Sequence, residues 1–134
     1  MADTTEPMAA TGYVLCEDMI FMSRITGTAQ ALGLTMKPAR SMDVLRNLVA
    51  QQWPTCIVID LANPSLNLVE LIKFLKGGGA TMPRLVAYGS HVDTAALKAA
   101  REAGCDLVLP RSRFVEELPR ALPDWMGFQP GATS

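Results

Sequence analysis

The sequence predicts an α/β domain in which a parallel sheet carries helices on both faces. Short runs of β-branched and apolar residues without polar alternation recur along the chain, as strands covered on both sides require. Segments with apolar residues at helical spacing lie between those runs, and the joints are short. The clearest run is Thr55-Cys56-Ile57-Val58-Ile59; it ends in Asp60, and an Asn63-Pro64-Ser65 breaker follows. A carboxylate there stands where such a sheet opens onto its loops, outside the carboxyl end of a strand. The same aspartate would equally serve to start the turn into the next helix, and this stretch alone does not separate the two roles.

With 134 residues, 49% hydrophobic and 19% charged, the chain suits one domain with a substantial core. A formal net charge of -1, with Lys and Arg scattered, argues against nucleic acid or an anionic membrane as partner. Apolar runs stop well short of the roughly 20 residues that span a bilayer, and Met1 to Pro7 carries acids where a secretion signal needs bases. A cytoplasmic location is therefore expected. Cys16, Cys56 and Cys105 have no Cys-x-x-Cys spacing and lie in or beside strands, so they read as reduced core residues.

Residues 1–11 are small and polar and predict a flexible N-terminal arm, with the domain over 12–122 and a tail over 123–134. Tyr13 to Cys16 forms the first strand; Glu17-Asp18 follow it, and a helix from Met19 to Leu32 sets Phe21, Met22, Ile25, Ala29 and Leu32 on one side. Two acids at a helix N-terminus are also favourable against its dipole. Gly33 closes that helix, Leu34 to Ala39 makes a weak edge strand, and Ser41 caps a second helix with Leu45, Leu48 and Val49. After Asp60 a third helix from about Leu66 carries Leu68, Leu71, Ile72 and Leu75 up to Gly77-Gly78-Gly79. Those glycines follow a helix and precede no Gly-Lys-Ser/Thr, so they are not a phosphate loop.

Arg84 to Tyr88 forms the fourth strand, ending in Gly89-Ser90-His91, and Asp93 or Thr94 opens an Ala-rich helix that stops at Gly104. Leu107 to Leu109 is the fifth strand, and Ser112 is expected to cap a last helix bearing Phe114, Val115 and Leu118. Pro119 is expected to kink that helix or end it early. Trp125, Met126 and Phe128 in the tail fold back on the domain or present a partner site.

Right-handed crossovers leave few topologies for this order, and a doubly wound, flavodoxin-like sheet of order 2-1-3-4-5 is the expected one. It brings Glu17 and Asp18 beside Asp60 in one crevice. An all-oxygen set of three carboxylates suits Mg²⁺, although solvated acids at a loop edge cost little without a metal.

Here the residues resemble the receiver domains of bacterial response regulators, the CheY-like family. Val14 to Ile25 is similar to that family's first strand, acidic pair and first helix. Asp60-Leu61-Ala62-Asn63-Pro64 resembles its phosphoacceptor stretch, and Ala103-Gly104-Cys105-Asp106 the segment before its last strand. The resemblance spans roughly 12–122. It implies a cytoplasmic two-component or phosphorelay module with Glu17, Asp18, Asp60 and the Ala62 carbonyl around Mg²⁺, and Asp60 taking a phosphoryl group from a histidine kinase or small phosphodonor. The chain departs from the pattern at the readout. Gly89, with Ser90 beside it, takes the hydroxyl position, Arg111 the lysine position, and Val108 that of the aromatic switch residue.

The implied function is a stand-alone receiver-like or pseudo-receiver module, not an enzyme beyond Mg²⁺-dependent self-phosphorylation. It would act through a protein partner, a histidine kinase or downstream signalling protein, as a monomer or weak homodimer. The competing reading is a flavodoxin-like nucleotide or cofactor domain or small enzyme. Against it, the first strand-to-helix turn carries Glu17-Asp18 where a phosphate needs glycines and free N–H groups. His91, the only histidine, reads as a loop or capping residue.

Overall fold

Residues 10–79 and 81–127 are described in this computed structural model. The strands are β1 (Thr11–Leu15), β2 (Thr35–Ala39), β3 (Cys56–Asp60), β4 (Arg84–Gly89) and β5 (Leu107–Pro110). They alternate with α1 (Met19–Ala31), α2 (Met42–Gln51), α3 (Leu68–Lys76), α4 (Thr94–Ala103) and α5 (Arg111–Trp125). All pairings are parallel and the sheet order is β2-β1-β3-β4-β5, so the doubly wound expectation holds. The switch point falls between β1 and β3, as this order demands.

Alternation along the central strands divides the core. Leu15, Ile57, Ile59, Leu85 and Ala87 face α2, α3 and α4, meeting Leu45, Val49, Leu71, Leu75 and Leu97. Val14, Cys16, Val58, Val86 and Tyr88 face α1 and α5, meeting Ile25, Ala29, Phe114, Leu118 and Leu122. Each fully buried side chain of this size stabilises by about 1.5–3 kcal/mol, so both faces hold the sheet. Leu32, expected on the buried side of α1, is instead its C-cap and 41% exposed.

The last helix corrects two expectations. It runs from Arg111 through Pro119 and Pro123 to Trp125. Each proline interrupts the helical hydrogen-bond ladder, but four residues apart they share a face away from the core, while Phe114, Leu118, Leu122 and Trp125 are buried on the other. Burial of that stripe outweighs the local penalty. The helix starts one residue before Ser112, with Pro110 at the N-cap and no side-chain cap bond, so Ser112 lies inside the first turn.

The expected boundaries shift with it. Thr11 already belongs to β1, and Trp125 and Met126, assigned to the tail, are buried against the α1–α5 face. The Thr55 hydroxyl holds the segment after α5 by donating to the Met126 carbonyl at 2.8 Å. Phe128 and the remainder of arm and tail, residues 1–9 and 128–134, lie outside the described residues. No helix among the described residues is long and apolar enough to cross a membrane.

Candidate functional site

Asp60 ends β3 with its side chain on the α1–α5 face, 6% exposed. Its Oδ1 accepts the Ala62 N–H at 2.9 Å and its carbonyl accepts the Asn63 N–H at 3.0 Å, so it does start the turn. Asn63 continues that turn: its Oδ1 accepts from the Ser65 N–H and hydroxyl, and its amide donates to the Arg40 carbonyl. Parallel register pairs Leu15 with Ile59 and Asp60 with Tyr88, which sets Cys16, Asp60 and Tyr88 in one row across three strands. Tyr88 O–H donates to Cys16 Sγ at 3.3 Å. The thiol has one hydrogen to share between Asp60 Oδ2 at 3.7 Å and the Asp18 carbonyl at 3.5 Å.

This row is dry. Burial pushes the Cys16 thiol up, and the nearby Asp60 charge adds to the shift against the opposing bond from Tyr88. Burial likewise pushes the Tyr88 hydroxyl well above its ordinary value, with Cys16 and Asp60 acting the same way. Both groups stay protonated at neutral pH and serve as donors.

Glu17 and Asp18 follow Cys16 at the same carboxyl edge and are exposed. Asp18 is the N-cap of α1, its Oδ1 accepting the Ile20 and Phe21 N–H groups at 3.0 Å each. Mg²⁺ needs a near-octahedral set of free oxygens. Here one Asp18 oxygen holds the helix, Asp60 Oδ1 holds the turn and Oδ2 faces the thiol. Among the described residues no group of three His, Cys, Asp or Glu side chains gathers to hold a metal ion. Of the expected set, Asp18 Oδ1 and Asp60 Oδ1 are engaged within the chain, whereas Glu17 makes no hydrogen bond with another described residue.

The other end of the edge is built differently. A Cβ at Gly89 would meet Leu61 Cδ1 at 3.3 Å, which would have to yield by a few tenths of an ångström, and Leu97 Cδ2 at 3.5 Å in ordinary van der Waals contact. Ser90 is half-buried and its Oγ accepts the Val92 N–H at 3.3 Å. Arg111 opens α5 with its guanidinium over the Phe21 ring, 5.6 Å from the centroid, and makes no ion pair with another described residue. Val108 is buried on the opposite face, against the α2–α4 core. His91 is exposed in the β4–α4 turn.

Cys16 and Tyr88, read from sequence only as strand residues, thus share one row with Asp60. Tyr88 is fixed between Phe21 and Phe114, at 4.8 and 4.6 Å between ring centroids, and Phe114 stacks on Trp125 at 5.5 Å. The signal was present: counting the parallel register from the strand ends places all three in one row.

No protein-family model and no curated protein matches the chain. Solved structures do. A protein from Chloroflexus aurantiacus provisionally assigned as a response regulator superposes with a TM-score of 0.76 at 17% identity, covering 89% of this chain and 98% of that one. The response regulator signal receiver domain from Bermanella marisrubri gives 0.74 at 18%, covering 88% and 98%. A BeF3-activated DrrB receiver domain gives 0.73 at 16%, covering 90% and 99%; the DrrB protein is from Thermotoga maritima. The chain has the receiver-domain fold over nearly its whole length.

Proposed function

We propose that this chain is a receiver-like signalling module that acts by binding another protein, with Asp60 at the acceptor position and a degenerate readout. The observation that carries the reading is the contrast within one crevice. An aspartate stands at the end of β3 on the receiver fold, yet a side chain at Gly89 would meet Leu61 and Leu97, and the Arg111 guanidinium rests on Phe21. A carboxyl phosphate is read by a side-chain hydrogen bond and a cation that pull a loop between two arrangements. Gly89 has no side chain to donate that bond, and a guanidinium differs from an ammonium in reach and geometry.

Signalling then rests on the surface itself. Met19 and Ile20, at 57% and 84% exposure, stand beside the crevice as contact groups for a partner such as a histidine kinase or a downstream signalling protein. The test is incubation with Mg²⁺ and acetyl phosphate, followed by intact mass and by capture of partners from the native host. The expected result is no phosphoryl adduct beyond that of Asp60→Asn and the same partner recovered by both proteins. An adduct lost in Asp60→Asn, together with a partner that changes on phosphorylation, would make the chain a working acceptor instead.

A further inference from the structure

We infer that the cleft between the start of α1, the β4–α4 turn and the start of α5 binds a small organic anion: an apolar body bearing a phosphate or a carboxylate. The open cleft has a volume of about 580 Å³, within the roughly 300–1,000 Å³ typical of small-ligand sites. Its wall is apolar where Ile20, Phe21 and Val115 line it and cationic where Arg24 and Arg111 do, and no carboxylate side chain is among its lining residues.

Neither Arg24 nor Arg111 forms an ion pair with another described residue, whereas Arg113 on the same helix is bonded to Glu117. Arg111 is held against the cleft wall by its contact with the Phe21 ring, so its fork is partly preorganised for an oxyanion. Ser112 adds a hydroxyl in the first turn of α5, whose N–H groups receive no side-chain cap. A cation would be repelled there, and a neutral apolar ligand would cover two guanidiniums without pairing them. An anion with an apolar body satisfies both walls.

The inference does not rest on Asp60 chemistry. Phe21 separates the cleft from the buried row by packing on Tyr88. The test is an amide NMR titration of the ¹⁵N-labelled full chain at fixed ionic strength with phenyl phosphate, phenylacetate, benzyl alcohol and inorganic phosphate.

Saturable shifts at Phe21, Ser90 and Ser112 are expected with phenyl phosphate or phenylacetate, and the tighter of the two names the head group. Benzyl alcohol and inorganic phosphate should bind at least about tenfold more weakly. Arg24→Gln with Arg111→Gln should weaken binding by about tenfold or more, each removing one charge-assisted contact. Both arginines are exposed, so the variant's own amide spectrum reports an intact fold. No saturable shift with either anion overturns the inference. So does equal binding of benzyl alcohol or inorganic phosphate, or unchanged affinity in the double arginine variant.

Discussion

At the β1–β3 end of the sheet's carboxyl edge most polar groups are bonded within the chain, whereas at the β4–β5 end they face outward. Asp60 closes its own turn through Ala62, Asp18 caps α1, and Cys16 accepts from Tyr88. Arg111, Ser112 and His91 are exposed and line a cleft. Asp60 thus has a use in its own turn, and Asp18 one at the helix N-cap, independent of any phosphorylation. On the proposed reading, Gly89 and Arg111 therefore say more about switching than the acids do.

Tyr88→Ala should have the largest effect of the substitutions that probe this contrast. It empties the aromatic layer between Phe21 and Phe114 and should cost about 3–5 kcal/mol in urea unfolding. A loss under about 1 kcal/mol would mean that the row is not part of the core. Gly89→Thr comes next, at about 1–3 kcal/mol, because its Cβ presses on Leu61. Combined with Leu61→Ala the two losses should be less than additive; full additivity would show that Leu61 does not occupy that space.

Asp18→Ala should cost about 1 kcal/mol as a lost N-cap. Glu17→Ala, with no bond among the described residues, should stay within about 0.5 kcal/mol. Equal losses would remove the distinction between a structural and a free acid. The smallest effect concerns pH. Burial raises Cys16 and Tyr88 above their ordinary values of 9.0 and 10.0, and raises Cys105 to about 11 and Cys56 to about 12. The folded chain keeps these protons while the unfolded chain releases them, so their contribution is complete below about pH 9 and is lost as pH rises toward the folded values. Melting temperature should fall through that alkaline window, and Tyr88→Phe should make the fall shallower. An unchanged slope would separate Tyr88 from the effect.

The strand order, the two core faces and the position of Asp60 were legible because apolar alternation and strand ends are local signals. That Glu17 and Asp18 stand at the start of α1 was legible for the same reason, but not that Asp18 is its N-cap. The contacts of Asp60 were not, since Cys16 and Tyr88 reach it only through register between strands 44 and 28 residues away. Nor was α5: Pro119 and Pro123 read locally as breakers, and only the buried stripe from Phe114 to Trp125 shows why the helix continues. Gly89 read as a missing hydroxyl, but the side chains that a Cβ there would meet come from the β3–α3 turn and α4.

The most direct test is the amide spectrum with and without Mg²⁺ and beryllofluoride. A degenerate readout predicts no change at Gly89, Ser90, Arg111 and Ser112 at saturating reagent. Shifts at those four amides that vanish in Asp60→Asn would contradict it, because the β4–β5 end would then be reading the charge on Asp60.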